Sequence, residues 1–162
     1  MQQISVSDLE NIFPLERLKS GSIYGALSSE AIDFLLHRGK LYKVRSGERI
    51  YDYGDTGSSF FIVCQGSLSF LTQYEDDCYH TRNIMFGEES GFVSMIALQN
   101  HSGYAVARED SIILEIDAAV FGDLHAELPF DFGIITLNLA RDMARTITKL
   151  HQALVKNAIR HW

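Results

Sequence analysis

The sequence predicts an α+β, mainly β, domain: an antiparallel β-roll of jelly-roll type with N-terminal helices and a long C-terminal helix. Three observations lead to this reading. Over residues 41–116, short runs rich in Tyr, Phe, Ile and Val alternate with glycine turns, the texture of many short strands rather than of strands joined by crossover helices. The first forty residues and those after Asp117 carry helical spacing instead. A chain of 162 residues, 46% apolar and 11% aromatic, is the size and composition of one globular domain with a single core.

In the N-terminal segment, 1–27, Ser7-Asp8-Leu9-Glu10 has the spacing of a capping box, and Ile12, Phe13, Leu15 and Leu18 supply an apolar side. Pro14 interrupts that helix or restarts it. A second helix is expected to start at Ser28-Ser29-Glu30, to bury Ile32, Leu35 and Leu36, and to stop at Gly39. The roll itself, 28–129, has strands expected at 49–53, 59–64, 67–72, 103–108 and 111–116. Gly47, Gly54-Asp55-Thr56-Gly57, Gln65-Gly66 and Phe86-Gly87 punctuate them. Strict alternation in Ser67-Leu68-Ser69-Phe70 leaves one face of that strand wet. Asp117 is placed to cap a helix containing Phe121 and Leu124, and Pro129 ends it.

The last segment, 130–162, reads as one long helix. Leu139, Met143, Ile147, Leu150 and Leu154 recur at spacings of four, four, three and four, a stripe of coiled-coil type. Such a stripe fits either the helix's own roll or a second copy. It runs on past what a small roll covers, which favours a homodimer, with Asn157 setting the register on the seam.

Charge and cysteine content narrow the function classes. A net charge of −7 disfavours nucleic acid as a partner, because phosphate contacts need clustered Lys and Arg. From Asp131 onward, Arg141, Arg145, Lys149, Lys156 and Arg160 outnumber Asp131 and Asp142, a local charge of +3 that leaves −10 on the rest. That pattern suits a solvated helix with cations near its C-terminus. No apolar run is long enough to span a bilayer and the N-terminus lacks a signal pattern, so a cytoplasmic location is expected. Cys64 and Cys78 set up no disulfide framework. Cys78 and His80 share the charged stretch around Glu75-Asp76-Asp77 without a third ligand type, so no metal is predicted. The histidines at 37, 80, 101, 125, 151 and 161 are scattered, and no nucleophile elbow, Walker loop or acid–base pair is present, so no enzyme is predicted.

In order along the chain, Ser46-Gly47-Glu48-Arg49-Ile50, the run from Gly54-Asp55 to Ile62-Val63, Gln65-Gly66-Ser67-Leu68, Phe86-Gly87-Glu88 and the stretch from Ala105 to Phe121 together resemble the cyclic nucleotide-binding domain family. The resemblance implies a cassette that holds a cyclic phosphate on backbone N–H groups at a short helix N-terminus. It implies that Glu88 takes the ribose hydroxyl and that an arginine neutralises the phosphate. The expected cassette residues are Phe86, Gly87, Glu88, Glu89, Ser90, His101 and Ser102. No Arg or Lys occurs between Glu88 and Gly103, and His101-Ser102 stands where the family carries an arginine and a small or hydroxylated residue. A mostly neutral imidazole cannot replace a guanidinium fork, and Glu89 adds a second carboxylate that repels phosphate.

The expected function is therefore a non-enzymatic, dimeric signalling or interaction module with a degenerate cassette, and a cyclic nucleotide is the one cofactor the resemblance leaves open. The alternative is a genuine sensor of a cyclic nucleotide, cyclic dinucleotide or other small anion, with Arg82 or Arg108 supplying the charge from an adjoining strand. The family's helix-turn-helix output is not found before Trp162, so direct DNA binding is not expected, and another signalling protein is the expected further partner.

Overall fold

The computed structural model of the chain describes residues 1–12, 14–74 and 77–159. Phe13, Glu75, Asp76, Arg160, His161, Trp162 and the Asn157 side chain, all used in the sequence reading, lie outside the described residues.

Helix α1 (Val6–Glu10) is capped two residues earlier than the Ser7 box predicts. Ser5 Oγ accepts from the Asp8 N–H and the Asp8 carboxylate accepts from the Ser5 N–H at 2.8 Å, so the reciprocal cap is Ser5 with Asp8. Pro14 opens a 3-10 turn, Leu15–Ser20. Helix α2 (Ser29–Arg38) starts at the Ser28 cap and ends at Gly39, as its signals require.

Two antiparallel sheets follow. The first runs in the order β1 (Gln2–Ile4), β2 (Lys40–Val44), β9 (Ser111–Asp117), β4 (Ser59–Gln65), β7 (Glu89–Ser90). The second runs β3 (Arg49–Tyr51), β8 (Gly103–Ala107), β5 (Leu68–Tyr74), β6 (Asp77–Ile84). Strands β4 and β9 pair in the middle of the first sheet and are apolar at nearly every position because both their faces are covered. Phe61, Val63 and Ile113 point between the sheets, against Ile50, Tyr51, Leu68, Ile84 and Ala105. Phe60, Ile62, Cys64, Ile112, Leu114 and Ile116 point the other way, into a larger core built with the helices.

That second core fixes the helical layer. Helix α3 (Phe92–Ile96) and helix α4 (Ala118–Glu127, capped by Asp117) bring Phe92 and Phe121 edge-on to Phe60, and Phe121 packs on Phe132 of helix α5 (Pro129–Ile159). Ile135 and Leu139 carry α5 onto the same core. Buried polar contacts tie it to the N-terminal segment as well. Asp131 accepts from the Ser28 N–H and hydroxyl, and Asn138 donates to the Ile23 and Gly25 carbonyls. None of the described helices is long and apolar enough to cross a membrane.

Candidate functional site

A cavity of about 670 Å³ opens between the roll and α5. Its floor comes from Tyr51, Phe70 and the β6 residues Arg82 and Ile84, and its wall from Glu88, Glu89, Ser90 and Gly91. Its roof comes from Asp142, Thr146, Lys149 and Leu150 of α5. Volume and position suit a small organic ligand.

The short helix α3 is opened by Gly91 at φ 102°, a conformation that side chains rarely adopt, and a Cβ there would press on the Ser59 carbonyl. The Phe92 N–H, the first donor of this helix, is already taken by the Glu89 carboxylate at 2.9 Å. Glu89 is only 1% exposed. Burial raises its pKa to about 7, against the pull of Arg82 and the Phe92 N–H and with the repulsion of Asp142 and Glu88 behind it. Arg82 does not cancel that cost because its nearest approach to the Glu89 carboxylate is 3.9 Å.

The guanidinium spends its donors elsewhere. Arg82 Nη2 donates to the Glu89 main-chain carbonyl at 2.6 Å and to Asp142 Oδ2 at 3.1 Å, while Nη1 reaches Thr146 Oγ1 at 3.4 Å. One side chain thus joins strand β6, the cassette wall and α5.

The expected cassette residues divide between cavity and frame. Glu88, Glu89, Ser90 and Ser102 line the cavity. Glu88 turns its carboxylate back to the Met85 N–H at 2.9 Å, and Ser90 Oγ pairs with the Tyr51 hydroxyl at 2.5 Å. Phe86 packs against the core with Arg17 over its ring. Gly87, at φ 75°, crosses Gly21 so closely that a Cβ would sit 2.3 Å from the Gly21 Cα, and its carbonyl accepts from Ile23 N–H and Ser22 Oγ. His101 is buried and stacks on Tyr51 with ring centroids 3.8 Å apart. Burial holds its pKa below the usual imidazole value, and Asp55 opposes that shift.

Of the two arginines raised by the sequence, Arg82 stands in the cavity, whereas Arg108 is exposed and is not among its lining residues. The sequence does not mark the α5 residues Asp142, Thr146 and Lys149 as part of the site, and Asp142 and Lys149 enter it only in the charge balance. Their only signal was a polar row beside the apolar stripe, with Asp142 and Thr146 one turn apart. The stripe itself is shared. Leu139 is fully buried in the core and Met143 packs against it, while Ile147, Leu150 and Leu154 are exposed on the far half of the helix. Cys64 is buried and Cys78 exposed, both as free thiols, and no group of three metal-ligating side chains occurs among the described residues.

This architecture has known counterparts. It is similar to a cyclic nucleotide-binding domain from Methylobacillus flagellatus, with a TM-score of 0.81 and 15% identity over 96% of this chain and 88% of that one. It is also similar to the catabolite activator protein of Thermus thermophilus, at TM-score 0.71 and 22% identity over 85% of this chain and 63% of that one. A c-di-GMP-responsive global regulator of Xanthomonas campestris matches at TM-score 0.74 and 16% identity over 81% of this chain and 65% of that one. The chain thus spans less than two thirds of the length of these two regulators. No curated protein matches the sequence significantly. The family model described as the cyclic nucleotide-binding domain matches residues 41–127, more than half of the chain, and together with the roll, the short α3 and the helix-roofed cavity this shows that the chain belongs to the cyclic nucleotide-binding domain family.

Proposed function

We propose that this chain is a non-enzymatic regulatory domain whose phosphate cassette is degenerate, acting as a homodimeric signalling or interaction module in the cytoplasm. One observation carries the reading: the groups that would meet a cyclic phosphate are already satisfied from within. Glu89 takes the first N–H of α3, and Asp142 together with the Glu89 carbonyl takes Arg82. A phosphate passing the exposed Lys149 at the rim meets the Asp142 carboxylate, and above about pH 7 that of Glu89 as well, around an arginine that is already paired, and like charges at close range in a poorly solvated site cost several kcal/mol, as an order of magnitude. His101, at the place of the family's arginine, is spent on the Tyr51 stack. The dimer is supported by the exposed Ile147, Leu150 and Leu154, which continue the spacing of Leu139 and Met143 beyond the roll.

A second reading, a sensor of a small ligand, is favoured by the cavity itself, which at about 670 Å³ is roomy enough for a nucleotide. Calorimetric titration of the purified chain with cAMP, cGMP and cyclic di-GMP separates the two. The degenerate module gives no heat at millimolar ligand, and saturable micromolar binding of any of the three replaces it with the sensor. In light scattering the wild-type chain is expected at twice its 18.3 kDa mass and Leu150→Asp at the monomer mass. A monomeric wild type removes the dimer from the proposal.

A further inference from the structure

The reading of the cassette as degenerate leaves open what the half-buried arginine beside it does. Arg82 stands on β6 with its side chain 23% exposed, and Asp142, 7% exposed at the side chain, reaches it from α5. The pair is not a surface ion pair held loosely by solvent. Asp142 is buried and Arg82 is partly shielded from water, so the carboxylate above all needs a counter-charge of good geometry to offset its lost hydration. The contact also crosses from the roll to the roof, between residues 60 positions apart in the chain.

Three further groups complete the surroundings of Arg82. The Glu89 carboxylate stands at 3.9 Å, the Glu89 carbonyl accepts at 2.6 Å, and Thr146 Oγ1 accepts at 3.4 Å, one turn after Asp142. Lys149 also faces the cavity, but it is exposed at the rim, where water and salt screen it. Arg82 is therefore the cavity's shielded cation, and among the described residues Asp142 is the one partner carried by α5 with a formal charge.

We propose that Asp142 is the built-in occupant of an anion site. Its carboxylate on α5 holds the Arg82 guanidinium that an incoming phosphate would need, so that docking of α5 and binding of an anion exclude one another. This rests on the degenerate-cassette reading and adds what closes the cassette. The coupling is reciprocal: an anion on Arg82 weakens the hold on α5, and anything that draws α5 away uncovers Arg82 for an anion.

The test uses the full chain as Asp142→Asn, which keeps side-chain shape and one acceptor oxygen while removing the charge. Calorimetry with cAMP and cGMP is run on wild type, Asp142→Asn and Asp142→Asn with Arg82→Ala, each checked for a cooperative thermal transition. Amide exchange across 138–146 is followed alongside. Asp142→Asn should bind one of the two nucleotides at least tenfold more tightly than wild type. The double variant should lose that gain, and both it and Asp142→Asn should exchange faster than wild type over 138–146. Unchanged affinity in a folded Asp142→Asn overturns the occupant role. If Asp142→Asn does not fold, titration of wild type decides instead: cAMP or cGMP at saturation must speed exchange over 138–146, and slowed or unchanged exchange overturns it. A wild type that binds at micromolar concentration refutes the degenerate cassette, and the occupant role then stands only if Asp142→Asn still gains tenfold.

Discussion

Glu89 shows how much a single buried side chain can ask of this fold. Its carboxyl is 1% exposed, caps α3 through the Phe92 N–H, and faces Arg82 from β6, Asp142 from α5 and its own neighbour Glu88. Burial outweighs the two favourable partners and lifts its pKa from 4.5 to about 7. The native state therefore holds this proton more tightly than the unfolded chain does. Its contribution is fully present below pH 4.5 and is lost as pH rises toward about 7, leaving the native state poorer by on the order of 3 kcal/mol. His101 works in the opposite sense, because burial depresses its pKa and stability falls as pH drops below the imidazole range. The two are separated by comparing wild type with Glu89→Gln, a mimic of the protonated acid, in urea melts at pH 5 and pH 8. The stability difference should move in favour of Glu89→Gln by about 2–3 kcal/mol between the two, and a constant difference would show that Glu89 is ionised in both states. In the sequence Glu89 reads as a cassette residue that adds a second negative charge. Its burial depends on β7 pairing with β4, a two-residue ladder that no periodicity announces.

At the scale of elements, legibility follows how each strand or helix is solvated. Strands β4 and β9 are plain in the sequence because a strand covered on both faces becomes an unbroken apolar run. Helices α2 and α4 are plain because Ser28, Gly39 and Asp117 stop and start them with side-chain or backbone caps. Strand β6 is nearly invisible, since six of its eight residues are exposed and polar alternation is absent, yet it carries Arg82. The cavity is legible only on its cassette side. Its roof lies some fifty residues further along, and a contact such as Arg82 with Asp142 leaves no local trace. Helix α5 is legible as a stripe, but the two halves of the stripe are solvated differently. Leu139→Ala should cost about 2–5 kcal/mol in denaturant melts, as a fully buried leucine does. Leu154, 66% exposed, should cost under about 0.5 kcal/mol on the same change in dilute monomer. Equal losses at the two positions would mean that the far half of α5 folds back on the roll.

Across the whole molecule, the helical layer is fastened to the roll at a graded series of points, and α5 collects most of them. Asp131 holds the Ser28 cap, Asn138 and Leu139 hold the N-terminal segment and the core, and Asp142 and Thr146 hold Arg82. Beyond Thr146 every residue of the helix through Lys156 is exposed. A helix has no stability to spare over ten residues without packing, since isolated segments of that length are marginal in water. The roll therefore orders α5 as far as Thr146, and in the proposed dimer a second copy orders the remainder. Amide exchange should then fall into two zones. Protection over 131–146 should be independent of protein concentration, whereas protection over 147–156 should rise with concentration and be absent in Leu150→Asp. Concentration-independent protection throughout α5 would mean that the far half is stable alone, and the homodimer would lose its physical reason. If the two zones are seen, they also locate where the two faces of α5 are coupled. The zone that responds to Arg82 and the zone that responds to a partner copy meet between Thr146 and Leu150, where Lys149 and Leu150 line the cavity and Leu150 lies on the stripe. In the proposed dimer, where both halves of α5 are packed, a change at either face of that short stretch is passed to the other along the continuous helix.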